Sequence, residues 1–350
     1  MKAYYFRHLL NFKTPGGTSR GVLNSKESWF LVIVDNNSYG IGECSLINGL
    51  SPDPQSTFED KLSEVCCNIS LGFEKLKSKL EPYPSIVFGL ETAFLSLKCS
   101  DPFILQNSDF VKGEDSIPIN GLIWMGEKSF MIKQIKEKID NGFDCIKIKV
   151  GALNFDLECE VLKFLRLEYS LNDIEIRVDA NGAFSTVSAL EKLKKLSEYD
   201  LHSIEQPIRP KMHEEMAFLC EKSPLAIALD EELIGVTKIK DQKKMLDEIR
   251  PSYVVLKPSL IGGLKAADSW IEIANSQKIK WWSTSALESN VGLNAISQWV
   301  FKKGSIMKQG LGTGTLYSNN INSPYYIEKG RLKYNPKKKW ETKLFNNLIF

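Results

Sequence analysis

The heptapeptide DCIKIKV, residues 144–150, sets two lysines, Lys147 and Lys149, into a run whose other members suit a buried strand. Successive side chains of a strand point to opposite faces, so the lysines share one face while Ile146, Ile148 and Val150 share the other. A surface strand would do the same, with charge facing water and isoleucine facing the core. The reading turns on how the rest of the chain uses that phase.

Four later runs repeat it: IEIRVDA (174–180), HSIEQP (202–207), LAIALDEE (225–232) and YVVLKPS (253–259). Each ends in a charge, so that Lys149, Asp179, Glu205, Asp230 and Lys257 follow one another at separations of 30, 26, 25 and 27 residues. Stepping back by two from each charge gives Arg177, Ser203, Ala228 and Val255, whereas the branched apolar residues Ile176, Val178, Ile204, Ile227, Leu229, Val254 and Leu256 fill the other phase. Five strands that keep charge on one face and branched side chains on the other describe a closed parallel barrel, with the charges at the carboxyl ends around the axis and the apolar set under outer helices.

The intervening segments agree. SFMIKQIKEKIDNG, SALEKLKKLSEY and LKAADSWIEIANSQ carry helical periodicity, and Gly142 stops the first. With SIPINGLIWM (116–125), IKWWSTSALE (279–288) and a weak SIMKQGLG (305–312), eight strands are counted. An open doubly wound sheet is disfavoured, because GLGTGT (310–315) comes late and opens no helix; it reads as a loop for close backbone approach. Trp281 and Trp282 read as core. Before residue 110 the order is strands first (KAYYFRHLLNF, SWFLVIVDN, GIGECS), then helices. The fold class expected is therefore α/β, a TIM-type barrel with an N-terminal α+β domain over residues 1–110, a barrel over 111–320 and a C-terminal segment, 321–350. The Gly/Pro-rich stretches at 14–21 and 47–55 read as mobile loops.

Composition narrows the chemistry. With 45 basic against 43 acidic residues no long-range field gathers nucleic acid or an anionic membrane, and no apolar run reaches membrane length, so neither is an expected partner. A soluble cytoplasmic protein is expected. Seven cysteines without a C-x-x-C, and only three histidines, leave acid–base work to Lys, Asp and Glu. Three inward carboxylates, Asp179, Glu205 and Asp230, repel one another, and an all-oxygen set without His or Cys calls for a hard divalent cation, Mg²⁺ with Mn²⁺ as the alternative. Lys149 and Lys257 flank that set, and Lys149, beside Lys147 and a cation, should have a depressed pKa, as a general base requires. A network of salt bridges without chemistry is the competing reading.

At these residues the sequence resembles the enolase superfamily, in its muconate-lactonizing branch: K-x-K (147–149), RVDANGAF, IEQP, LDEE and LKPSLIGG stand where that family carries its site. The resemblance covers nearly the whole chain. It implies a modified (β/α)7β barrel whose capping domain closes over a small carboxylate substrate with the loops at 14–21 and 47–55, and to which residues 321–350 return. It also implies Mg²⁺ on Asp179, Glu205 and Asp230, a base in Lys149, an enediolate-stabilising ammonium in Lys257, and Lys147 as the residue that tunes Lys149. Arg177 and Asn181 would orient these groups. SALESNVGLNAISQW (285–299) and QGLGTGTLYSNN resemble members that dehydrate 2-succinyl-6-hydroxy-2,4-cyclohexadiene-1-carboxylate, with Thr284, Ser285 and Gly312 touching the succinyl tail. Epimerisation of dipeptides or racemisation of N-succinylamino acids is the nearest alternative, although SALES lacks the Asp-x-Asp that grips a dipeptide's ammonium. A non-catalytic barrel is the remaining one. Oligomeric state is left open.

Overall fold

The computed structural model describes residues 1–18, 21–151 and 154–346. The chain begins with an antiparallel sheet of β1 (Lys2–Thr18), β2 (Gly21–Asp35) and β3 (Ser38–Ser45). The run WFLVIV is almost wholly apolar because β2 is covered on both faces. Trp29, Leu31 and Ile33 pack with Phe58, Leu62, Ile86 and Leu90 of the helices α1 (Phe58–Cys67) and α3 (Pro84–Leu97); Phe30 and Val32 pack on the other side with Phe103, Val291 and Phe345. The contact of α3 with β3 depends on glycine: a Cβ on Gly42 would lie 1.8 Å from the carbonyl oxygen of Gly89. The short helices α2 (Phe73–Lys77) and α4 (Asp109–Lys112) complete this part of the chain.

Beyond α4 the parallel unit begins. After β4 (Ile117–Pro118), seven strands form one sheet in simple sequence order: β5 (Gly121–Ile123), β6 (Cys145–Lys149), β7 (Glu175–Asp179), β8 (Ser203–Glu205), β9 (Ile227–Leu229), β10 (Tyr253–Leu256) and β11 (Lys280–Ser283). The helices between them are α5 (Lys128–Asp140), α6 (Phe155–Glu168), α7 (Thr186–Ser197), α8 (His213–Lys222), α9 (Ile239–Ile249), and the pair α10 (Pro258–Ile261) and α11 (Leu264–Ser276), with α12 (Asn290–Lys303) after β11. The weak eighth strand is a two-residue bridge: Gly310 pairs with Thr284 and Gln309 with Ile119, both in parallel sense, which joins the last strand to the first and closes the ring. This is the (β/α)7β barrel. Its two side-chain phases separate as expected, for Ile146, Ile148, Ile176, Val178, Ile204, Leu229, Val254 and Leu256 lie in the core under the helices, while Ala228, Val255 and Trp282 form a small cluster inside the barrel. Both Trp281 and Trp282 are buried.

The segment after α12 forms the hairpin β12 (Tyr325–Glu328) and β13 (Arg331–Tyr334), whose second strand pairs with β4, and Phe345 reaches the β1–β2 sheet. No helix among the described residues is long and apolar enough to cross a membrane.

One expectation is corrected. Residues 14–18 are not a loop: β1 continues to Thr18, β2 starts at Gly21, and Gly16 and Gly17 pair with Leu23 and Val22 past an irregularity in register after Asn11. The glycines serve close approach, since Gly17 accepts a hydrogen bond from Met125 N at 3.3 Å and a Cβ on Gly16 would lie 3.1 Å from the Trp124 ring. Ser19 and Arg20, in the same stretch, lie outside the described residues. Residues 47–55 contain no strand or α-helix, and Asp53 ties them to α3, its Oδ1 accepting from Ser85 N at 3.1 Å and Ser85 Oγ at 2.6 Å.

The N-terminal sheet is joined to the barrel's helix α12 by a buried carboxyl group. Glu43 on β3 accepts from Ser28 Oγ (2.7 Å), from Ser289 N (2.8 Å) and Gly292 N (2.9 Å) at the start of α12, and from Ser289 Oγ. A carboxylate at a helix N-terminus satisfies amides that the helix leaves open and meets the positive end of its dipole. Glu43→Ala is expected to lower stability by about 3 kcal/mol, because it strands several buried donors at once. Urea unfolding followed by far-UV circular dichroism checks this, and a loss below about 1 kcal/mol would be inconsistent with the anchor.

Candidate active site

Parallel register places the charges. Lys149 lies beside Asp179, and Asp179 beside Glu205, across β6, β7 and β8; Asp230 and Lys257 follow directly on the last residues of β9 and β10. Asp179, Glu205 and Asp230 are buried, and one carboxylate oxygen from each lies within 4.8 Å of the others. Lys149 Nζ donates to Asp179 Oδ2 at 2.6 Å and Asn181 Oδ1 at 2.8 Å. Lys147 Nζ is 2.9 Å from the same Asp179 oxygen and also meets Glu205 Oε2, while Lys257 meets Asp230 Oδ2. Because β6 and β10 stand four places apart in a ring of eight, Lys149 and Lys257 face each other across the acids.

Burial and charge divide these groups. Burial pushes the Lys149 amine down from the ordinary lysine value, and the Lys147 and Lys257 ammoniums reinforce this against the pull of Asp179. Burial acts the same way on Lys147 and Lys257, but there neighbouring carboxylates win, those of Asp179, Glu205 and Asp230 around Lys147 and Asp230 first at Lys257, so both are raised. Asp179 is held low, since three lysines outweigh its burial; burial, with Glu205 and Asp179 nearby, raises Asp230. Glu205 Oε1 has no hydrogen-bond partner among the described residues. An orphaned carboxylate oxygen within a cluster of acids, and a donor set of oxygen alone, fit a hard metal ion. The three acids can hold one.

Above the acids lies a cavity of about 340 Å³. Its walls come from the barrel mouth, from the start of β2 through Gly21, Val22 and Leu23, and from the stretch 47–55 through Ile47 and Leu50. Thr284, Ser285 and Gly312 line it, as do Lys147, Lys149 and Lys257. The two hydroxyls are already engaged: Thr284 Oγ1 donates to the Gly310 carbonyl at 3.1 Å, and Ser285 Oγ shares a 2.6 Å hydrogen bond with Thr313.

Arg177 and Asn181 are not on the cavity wall. Asn181, at φ +45°, buttresses the site: its N–H donates to Asp179 Oδ1 at 3.0 Å, its Oδ1 accepts from Lys149, and its Nδ2 donates to Glu231 at 2.9 Å. Arg177 belongs to the barrel floor. It lies 4.2 Å from the Trp282 ring centroid, donates to Glu175 at 2.7 Å and to the Lys308 carbonyl at 2.9 Å, and is sealed from the cavity. Phase put it inward correctly, but two strand residues place it roughly 6.6 Å below Asp179.

Gln206 was missed by sequence reasoning. At φ +41°, it accepts through Oε1 from the backbone of Asp230 (3.1 Å) and Glu232 (3.2 Å), and donates to Glu232 Oε2 at 2.9 Å. It thereby fixes the turn that presents Asp230. Its signal was a polar residue between Glu205 and Pro207 in IEQP.

Comparison with known proteins agrees with this geometry. The model of the enolase C-terminal domain-like family matches residues 131–337. The o-succinylbenzoate synthase of Desulfotalea psychrophila is 45% identical, the match covering 95% of this chain and 98% of that one. A crystal structure of MenC from the same organism superposes with a TM-score of 0.85 at 41% identity, covering 95% and 99% of the two chains. A dipeptide epimerase of Enterococcus faecalis, solved with Mg and a dipeptide, shares the fold at a TM-score of 0.83 and 17% identity, with 95% and 96% covered. The chain belongs to the enolase superfamily.

Proposed function

We propose that this protein dehydrates 2-succinyl-6-hydroxy-2,4-cyclohexadiene-1-carboxylate to 2-succinylbenzoate, the step of menaquinone biosynthesis carried out by an o-succinylbenzoate synthase. The observation that carries the reading is the pair of lysines facing each other across three buried acids beneath a cavity. The relative at 45% identity over almost the whole chain supports the choice of reaction.

Asp179, Glu205 and Asp230 would hold Mg²⁺, which supplies positive charge for the substrate's ring carboxylate. Lys149, with its amine shifted toward the neutral form, takes the proton from the carbon bearing that carboxylate. The resulting ammonium then returns a proton to the hydroxyl leaving the adjacent carbon on the same face, so that the substrate loses one water and its ring becomes aromatic. Lys257, held cationic, lies on the opposite face and stabilises the negative charge that spreads over the carboxylate between the two events. Lys147, also cationic, keeps Lys149 depressed and adds charge at the carboxylate.

The cavity wall separates this reading from epimerisation of dipeptides. Its charged residues, among those described, are all lysines, and Glu288, the acid of SALES, is fully buried and accepts from Ser259 Oγ. A dipeptide ammonium would meet cations there. An anionic substrate is attracted by the same charges.

Two outcomes are expected. Lys149→Ala should lower kcat by about 10³-fold without altering the circular dichroism spectrum, since a positioned base contributes on that scale. EDTA should abolish formation of the aromatic product, measured by absorbance, and added Mg²⁺ should restore it. Activity that survives both treatments removes the proposed chemistry.

A further inference from the structure

The proposed substrate has two carboxylates, and the acid cluster accounts for only one of them. Three of the lysines on the cavity wall, Lys147, Lys149 and Lys257, are engaged with carboxylates of the cluster. A fourth, Lys138, lines the same cavity and forms no ion pair among the described residues. It projects from α5 across the outer side of β5, where Gly121 leaves space for it: a Cβ on Gly121 would lie 3.1 Å from Lys138 Cγ. Its Nζ is 5.2 Å from the centre of the Phe143 ring. Burial lowers its pKa, and Glu137 opposes that only in part. Half-buried between the cavity and an outer groove that Asp140 and Glu328 also line, this ammonium is held by no ion pair among the described residues and can be turned to an anion in the cavity.

A second side chain points the same way. Asn120, one residue before Gly121, lines the cavity and is 5% exposed, yet its Oδ1 has no hydrogen-bond partner among the described residues. An asparagine amide carries two N–H donors as well as that oxygen and can turn either toward a ligand. The hydroxyls of Thr284 and Ser285 are spent on the chain itself, whereas Lys138 has no ion pair and Asn120 Oδ1 no hydrogen bond among the described residues, so both can turn to a second anion.

Building on the proposed reaction, we infer that Lys138 and Asn120 bind the terminal carboxylate of the succinyl tail, so that the substrate lies between two anion sites, one at the acid cluster and one at the gap between β5 and the closing residues 309–310. The contact is made equally in ground and transition states and sets affinity rather than the rate of proton transfer. It also selects substrates whose second carboxylate lies at the reach of a four-carbon tail.

The test is steady-state kinetics of wild type, Lys138→Met and Lys138→Arg with the cyclohexadiene acid and with the analogue whose tail ends in a carboxamide. Methionine keeps the stem over Gly121 and removes the charge. Lys138→Met should raise KM for the acid about tenfold or more, with kcat held within about threefold. Lys138→Arg should recover most of the affinity, and the carboxamide should not distinguish Lys138→Met from wild type. Calorimetric binding of 2-succinylbenzoate reports the same contact without turnover. If wild type fails to turn over the acid, the proposed reaction falls; if wild type and Lys138→Met bind 2-succinylbenzoate equally, or lose affinity equally for acid and carboxamide, the tail site falls whatever the turnover.

Discussion

Mutual repulsion of three buried carboxylates is the constraint to which the barrel mouth answers. Asp179, Glu205 and Asp230 lie close enough to share one ion and are nearly out of water, a combination that costs many kcal/mol unless positive charge is supplied. Three lysines on the flanking strands supply it. The pairing also explains why the β-strands can be so short: β8 and β9 have three residues each, and much of the order at their ends comes from Gln206 and Asn181, both in the left-handed region, which tie successive turns to one another.

The cap is bound to the same requirement. A cluster of charges that must work away from water needs a roof, and the roof comes from segments distant in sequence, the β1–β2 tip over Trp124 and Met125 and residues 47–55 held to α3 by Asp53. Glu43 links this layer to α12, the helix that follows the seventh strand of the barrel. Position over the site is thus secured by buried hydrogen bonds whose loss strands donors, a steeper penalty than the loss of apolar area alone.

How much of this was legible in the sequence follows from what each signal measures. Two-residue periodicity reports which face a side chain takes, so the five charged strand ends and their branched partners could be read from spacing alone. It does not report depth, and Arg177 was for that reason expected among the groups that orient the site although it sits in the floor against Trp282. Glycine and proline report freedom rather than its use: TPGGTSRG suggested a loop, whereas Gly16 and Gly17 are in extended strand because neighbouring backbone and an indole ring leave no room for a Cβ. Lys138 carried no signal in KQIKEKID, where it looks like any solvated lysine. Its position depends on the missing side chain of Gly121, seventeen residues earlier, and on a bridge of two residues that leaves this part of the wall thin.

A lysine serves as a base only if something takes its proton away at neutral pH, and the site shows how one of three adjacent lysines can be singled out. All three suffer the same burial. Lys147 touches two carboxylates and feels a third, and Lys257 is in direct contact with Asp230, which touches no other lysine among the described residues, so burial is overcome in both. Lys149 has only the Asp179 oxygen that Lys147 already contacts, and it bears the repulsion of both other ammoniums. The deficit falls on the residue at the outer edge of the cluster, facing the cavity, where a carbon acid would be presented. Environments that drive like groups apart in proton affinity are how a fold assigns acid and base. Here the division comes down to which lysine must share its one carboxylate oxygen with another, and two positions along one strand separate the fixed cation, Lys147, from the proposed base, Lys149.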